Sequence, residues 1–293
     1  MLNSYNLYNK NMYKTLKRLR DLLISPMLDN SSYIEWRIIR EKLFKNEPYS
    51  NPLRLEKSGY KVYSQNDEDG IISEIFKRIG TTNKIFVEFG VGNGLENNTH
   101  FLLLKGWKGL WIEGDKKSCD YISKEFSKII YNKDNEKNQL NLLNSFINKD
   151  NINKLISSVG ITDEIDLLSI DIDGNDYHVF KEISCINPRV IIIEYNAKFP
   201  SDFSWVMEYD PNHIWDGSDQ HGASLKALEL LAREKGYQLV GTNISGINAF
   251  FVRSDLTGDL FYTPAMSENL YNPFFASYST LFKPGHPPKH YLG

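Results

Sequence analysis

The chain has 293 residues, a formal net charge of −3, and 41% hydrophobic and 24% charged residues. That balance excludes a protein devoted to nucleic-acid backbones, which needs a clustered excess of Lys and Arg. No apolar run reaches the ~20 residues of a membrane-spanning helix. The two cysteines, Cys119 and Cys185, give no disulfide framework and suit a reducing cytosol. Residues Met1 to Asn6 lack the apolar core of a signal peptide, so the expected location is cytoplasmic.

Residues 1–60 hold eleven Lys/Arg against six Asp/Glu, so the acid excess lies in the remainder. Leu16, Leu19, Leu22 and Leu23, then Ile34, Ile38, Leu43 and Phe44, recur at helical spacing. They predict a helical appendage that packs on the core or on a second copy of the chain. Its basic residues would otherwise suit a membrane surface or an anionic substrate. Asn46 to Pro52 reads as the linker. Ser64 is a natural N-cap, with Asp67 in the capping-box place, for a helix carrying Ile71, Ile72, Ile75, Phe76 and Ile79.

Lys84 to Phe89 reads as a buried strand ending on Glu88, then turning through Gly90, Gly92 and Gly94 toward a helix. Such a turn lets backbone amides approach a ligand closely. Lys108 to Asp115 is a second strand, and its Glu113 lies 23 positions after Gly90. That is near the distance at which a second-strand carboxylate meets a ribose. A helix at about 116–126 and a third strand within Leu140 to Asn148 follow. Glu164 to Ile170 is a buried strand that runs into Asp171, Asp173 and Asp176, with Asp176 the natural cap of the next helix. Arg189 to Asn196 ends on Glu194 and Asn196. Four strands thus end in Glu88, Glu113, Asp171 and Glu194, and four such ends at one sheet edge define a site. Residues 199–222 form an aromatic, lid-like stretch with Trp205, Tyr209, Trp215, His213 and His221. Residues 223–235 form a helix, and two strands around Ser245-Gly246 add a terminal hairpin. The tail from Leu256 is rich in Pro, Tyr and Phe.

The residues Ser64-Gln65, Val87 to Gly94, Ile112-Glu113, Ser169 to Gly174 and Gly222 to Leu225 resemble class I S-adenosylmethionine-dependent methyltransferases. They are most similar to the FkbM-like O-methyltransferase group, over about Tyr63 to Ser254. That group more often carries Glu where Asp173 stands. The resemblance implies an α/β fold: a doubly wound, mostly parallel, seven-stranded Rossmann-like sheet with a terminal antiparallel hairpin. The expected divisions are an appendage over 1–60, the methyltransferase domain over 61–255 with its lid at about 199–222, and a wrapping tail over 256–293.

It also implies S-adenosylmethionine as cofactor. Gly90, Gly92 and Gly94 would pack against its methionine part, Glu88 would bond its amino group, and Gln65 would reach its carboxylate. Glu113 would hold the ribose, Phe146 to Asn148 would lie beside the adenine, and Asp171 would sit below the methyl group. Asp171, Asp173 and His221 are the candidate bases for an acceptor hydroxyl. Asp171, Asp173, Glu194 and Asn196 are the candidate ligands for a divalent ion in the metal-dependent version. The expected acceptor is a small-molecule or nucleotide-linked sugar in surface polysaccharide biosynthesis. Nucleic acid is excluded as a partner, and a homo-oligomer is allowed. The alternatives are an NAD-dependent oxidoreductase, which the Gly-x-Gly-x-Gly spacing disfavours, and a non-catalytic binding module on the same fold.

Overall fold

A computed structural model describes residues 38, 40–130 and 139–274, so the amphipathic readings over 1–37 and the end of the tail lie outside the described residues. The described residues divide into two units, one ending at Ser50 and a second running from Asn51 to Phe274. Within the described part of the first, Asn46 Nδ2 donates to the Lys42 carbonyl and Ser50 Oγ to Glu47. No helix among the described residues is long and apolar enough to cross a membrane.

The second unit is built on seven strands: β1 (Ile85–Phe89), β2 (Lys108–Glu113), β3 (Leu140–Asn144), β4 (Asp163–Ile170), β5 (Ile186–Glu194), β6 (Tyr237–Thr242) and β7 (Asn248–Arg253). Their order is β3-β2-β1-β4-β5-β7-β6. β1 to β5 are parallel, and β7 runs antiparallel to both β5 and β6. All seven expected strands form, and the sheet is the doubly wound one. Its order reverses at β1 and β4, where such sheets open a ligand crevice at their carboxyl ends.

The central strands are mostly apolar on both sides because both faces are covered. On one face Phe86, Trp111, Ile192 and Phe250 pack with α1 (Glu68–Ile79), α2 (His100–Leu104) and α3 (Lys116–Glu125). On the other, Val87, Phe89, Leu168, Ile170, Ile191 and Ile193 pack with α4 (Ile152–Ser157), α5 (Asp176–Glu182) and α6 (Leu225–Glu234).

Three local expectations change. α1 begins four residues after Ser64, and its N-cap Asp67 makes no side-chain cap bond. Ser64 bonds Asp69 instead: its Oγ donates to Asp69 Oδ2 at 3.0 Å and accepts from the Asp69 amide at 3.2 Å. A longer loop is therefore closed by the same reciprocal device. Residues 51–60 belong to the second unit rather than to the appendage. Leu55 is fully buried in the core, and the buried Arg54–Glu56 pair is tied by Asn272 to residues far along the chain. The start of the expected tail is likewise part of this unit, with Phe261 and Leu270 in the core and α7 (Ser267–Leu270) against β6.

Charge is handled differently on the two edges of the sheet. Away from the carboxyl ends, Asp166 accepts from the amides of Thr82, Asn83 and Lys84 and pairs with Arg189 at 2.8 Å. Burial raises its pKa, but these partners outweigh it and hold the carboxyl below its ordinary value. At the carboxyl edge, Asp171, Asp173 and Glu194 pair with no Lys or Arg among the described residues.

Candidate active site

The carboxyl ends of β1 to β4 open onto a cleft of about 540 Å³. Gly90 and Gly92 line it from β1, Ile112 to Asp115 from β2, Ser145 to Ile147 from β3, and Asp171, Ile172, Asp173 and Asn175 from β4. Gly90 is required by close approach. A Cβ there would lie 1.6 Å from the Asp171 carbonyl oxygen, and φ is +69°. The glycine turn is thereby pressed onto the end of β4. Gly92 has open space above it.

Three expected cofactor contacts are placed elsewhere. Glu88 does not line the cleft. Its carboxylate accepts from Asn97 Nδ2 at 2.7 Å, from the amides of Asn98 and Thr99, and from Thr99 Oγ1. It is the anchor of the loop into α2, buried at 3% exposure. Gly94 points away from the cleft, where a Cβ would meet the Trp111 ring at 2.9 Å, so it serves helix packing. Gln65 is exposed and outside the lining, and its carbonyl accepts from Lys61 Nζ. The chain leaves the strand after Phe89 and turns through three positive-φ glycines, so Gly90 and Gly92 line the cleft while Glu88 and Gly94 face the packed interior.

Glu113 stands at the tip of β2. One carboxylate oxygen accepts from the Gly92 amide and the other from the Asp115 amide, both at 2.7 Å. Each oxygen keeps a lone pair for the cleft. Phe146, half-exposed, lies beside Gly114, with Ile112 and Ile147 completing an apolar wall.

Beside this wall, oxygens of Asp171, Asp173 and Glu194 lie within 4.8 Å of one another. β4 and β5 are paired through Ile170 and Ile193, so the next residues of each bring their carboxylates together. Burial, then the charges of Asp173, Asp176, Glu88 and Glu68, hold the Asp171 carboxyl well above its usual range. Burial, then Asp171, Asp176 and Asp173, do the same for Glu194. Burial raises Asp173 too, and His213 partly offsets it. Among the described residues no Lys or Arg pairs with these three, and Glu194 Oε2 is buried without a hydrogen-bond partner. Such an arrangement destabilises a fold unless a proton, a cation or a ligand relieves it.

His221 approaches this cluster, with Nδ1 3.8 Å from Glu194 Oε2 and its ring edge-on to Trp215. Asn196 does not join it. Its amide donates to the carbonyls of Asp219 and His221, and its Oδ1 accepts from the Lys198 amide, which commits it to holding the loop. Asp176 is not a helix cap in the expected sense. It is the first residue of α5, and its carboxylate reaches back to the amides of Ile172 and Gly174.

The 199–222 stretch is fastened at its base, where Val206 bridges Ala223 and the Ser224 amide donates to the Trp205 carbonyl. Of its aromatic residues only Trp215 reaches the cleft, joined by His213 and Ile214. Trp205 stacks on Phe199 at 4.6 Å, and Tyr209 packs against His178 and Lys149. Sequence reasoning placed His213 in the lid without giving it a task, because no spacing rule ties residue 213 to residue 173.

The cleft suits S-adenosylmethionine on its own features. Its volume lies in the range of small-ligand pockets, about 300–1,000 Å³. It offers an apolar wall for a base, an acceptor at Glu113 for hydroxyls, and uncompensated acids where a cationic group would sit. The profile of the methyltransferase FkbM domain matches residues 82–239, more than half of the chain. No protein of curated function matches. Solved structures share the topology only distantly. A SAM-dependent methyltransferase from Aquifex aeolicus is 13% identical, covering 73% of this chain and 98% of its own, with a TM-score of 0.35. The glycopeptide N-methyltransferase MtfA, complexed with S-adenosylhomocysteine, is 10% identical over 68% and 95%, with a TM-score of 0.39. The N-terminal domain of EvdMO1, determined with S-adenosylhomocysteine and D-fucose, is 12% identical over 74% and 94%, with a TM-score of 0.38. The chain belongs to the FkbM methyltransferase domain family and is a class I S-adenosylmethionine-dependent methyltransferase.

Proposed function

We propose that this enzyme methylates a hydroxyl of a sugar or nucleotide-linked sugar of the kind used in surface polysaccharides. The observation that carries the reading is the cluster of Asp171, Asp173 and Glu194, of which Asp171 and Asp173 line the same cleft as an aromatic lid residue, Trp215. Carboxylates accept from vicinal hydroxyls, and an indole covers the apolar face of a sugar ring. When bound, S-adenosylmethionine supplies an electrophilic methyl group on a cationic sulfur. Gly90 and Gly92 would present backbone to its amino-acid part, Glu113 would accept from the ribose hydroxyls, and Phe146 with Ile147 would flank the adenine. Asp171 faces the acceptor and takes the hydroxyl proton. Its raised pKa brings it closer to the working pH, as a general base requires. Asp173 and Glu194 orient the acceptor, and the proton taken by Asp171 leaves to solvent through the open cleft. The two cysteines are unpaired, Cys119 buried and Cys185 half-buried, which fits a cytoplasmic enzyme.

The cofactor assignment is tested by calorimetric titration. Wild type is expected to bind S-adenosylhomocysteine and to ignore NAD. Glu113→Ala is expected to weaken binding by about 10–100-fold, the loss of a charge-assisted pair of hydrogen bonds. Binding of NAD in its place would support an oxidoreductase. The acceptor is sought with radiolabelled S-adenosylmethionine against panels of neutral glycosides, amino sugars and nucleotide sugars, and labelling of none of them would count against the sugar.

A second reading is favoured by one observation, the buried and unpartnered Glu194 Oε2 within reach of two other carboxylates. Three hard oxygen donors suit Mg²⁺ or a similar ion. It would be held by Asp171, Asp173 and Glu194, not by Asn196, and would lower the pKa of a bound hydroxyl. Exhaustive chelation decides between the two. Unchanged turnover leaves Asp171 as the direct base, and loss restored by Mg²⁺ or Mn²⁺ establishes the ion.

A further inference from the structure

The lid residue His213 has no part in the scheme above, yet it is docked on the acid turn. Its Nε2 lies 3.1 Å from the Asp173 carbonyl oxygen. Its ring fills the space over Gly174, where a Cβ would sit 2.2 Å from His213 Cδ2 and 2.7 Å from Nε2. The three nearest atoms to that imagined Cβ all belong to His213. Gly174 is therefore glycine to admit this ring.

The neighbouring contacts make the docking a built one. Asn175 Nδ2 donates to the Asp210 carbonyl at 2.7 Å, and the His213 amide donates to the same carbonyl at 3.0 Å. The Gly222 amide donates to the Gly174 carbonyl at 3.0 Å. Lys149 Nζ lies 4.5 Å from the Tyr209 ring centroid at the other end of the stretch.

Asp173 itself has φ +53°, the left-handed region that a side-chain-bearing residue enters only at a cost. It stays there because it is held from both sides. Asp176 takes the amides of residues 172 and 174, and His213 takes the Asp173 carbonyl. The left-handed turn is what brings the Asp173 carboxylate to Asp171 and Glu194.

We propose that His213 is a positioning residue for the methyl-transfer site: docked on the Asp173 carbonyl across Gly174, it holds residues 208–221 over the cleft and keeps the Asp173 carboxylate in the acid cluster. This rests on the reading of the cleft as the cofactor and acceptor site.

Four variants test it: His213→Ala, His213→Gln, Gly174→Ala, and the double variant His213→Ala with Gly174→Ala. Hydrogen exchange of peptides covering 208–221 is followed by mass spectrometry, with and without S-adenosylhomocysteine. Peptides from β1 and β4 report whether the fold is intact. His213→Ala and Gly174→Ala should each speed exchange of 208–221 by about five- to tenfold, the worth of one net hydrogen bond and its packing. They should leave β1 and β4 unchanged. Gln carries its Nε2 at a reach similar to that of the imidazole Nε2, so His213→Gln should restore most of the protection. In the His213→Ala background the Gly174 substitution should have little further effect, because the three atoms nearest the added methyl group are then gone. Exchange at the wild-type rate in His213→Ala, or a Gly174→Ala effect of equal size in both backgrounds, would overturn the proposal. Failure of the wild type to bind S-adenosylhomocysteine would defeat the cofactor reading instead, and the exchange comparison would still judge the docking.

Discussion

Asp171→Asn should lower methyl transfer by about 10²–10⁴-fold, the usual worth of a positioned general base, and should make the protein more stable. The carboxyl is held well above its usual range by burial and by four neighbouring acids, so ionising it opposes folding. The sign follows from proton linkage. A carboxyl whose folded pKa exceeds its unfolded value binds more protons folded than unfolded, so stability falls as pH rises from about 4 through the folded pKa. Asn cannot ionise and lacks this slope. The variant should gain on wild type across that window and keep its advantage above it. The expected gain is roughly 2–4 °C in melting temperature, the shift that about 1 kcal/mol produces in a chain of this size. Thermal melts of both proteins at a series of pH values between about 4 and 9 measure it. The acids act as a group, so the midpoint belongs to the cluster rather than to Asp171 alone. Full transfer activity in Asp171→Asn would move the base to Asp173 or His221, the other two candidates beside the cluster.

Gly90→Ala should destabilise the fold by about 3 kcal/mol through backbone strain and overlap and abolish binding of S-adenosylhomocysteine. Two independent causes act at this position. The backbone stands at φ +69°, and the new Cβ would lie 1.6 Å from a carbonyl oxygen rather than from a side chain that could swing away. Relief needs β1 and β4 to separate at the point where the cleft opens. Gly92→Ala is the control. At φ +53° it meets only the conformational cost of about 1 kcal/mol, with nothing within 4 Å of its Cβ. Urea unfolding of the two variants should therefore separate widely. Equal losses would show that the glycines serve turn conformation alone.

The two acid groups on opposite edges of the sheet explain why stability and activity should diverge here. Asp166 is surrounded by amides and Arg189 and strengthens the fold. Asp171, Asp173 and Glu194 are equally carboxylates at or near strand ends, but they face one another. The first group relieves its own desolvation within the chain. The second leaves that relief to a proton, an ion or a ligand, as expected of a site kept for chemistry.

The sequence by itself determined the seven strands, their acid ends and the glycine turn between β1 and α2. Those are local facts: apolar runs of strand length, and turn residues that few other side chains could replace. It also placed Glu113, Phe146 and the Asp171–Asp173–Glu194 set, because a parallel sheet brings the residues that follow successive strands to one edge whatever their distance in the chain. What only the tertiary structure decided is which way each of these residues points. Glu88 and Gly94 belong to the same motif as Gly90 and Gly92, yet they face inward against Thr99 and Trp111, because the strand ends at Phe89 and the three positive-φ glycines re-aim the chain. Gln65 and Asn196 have the right chemistry, but Gln65 is exposed outside the cleft lining and the Asn196 side chain is spent on the loop. His213 lies 40 positions from Asp173, in a loop without periodicity, and only the folded chain shows that Gly174 makes room for it.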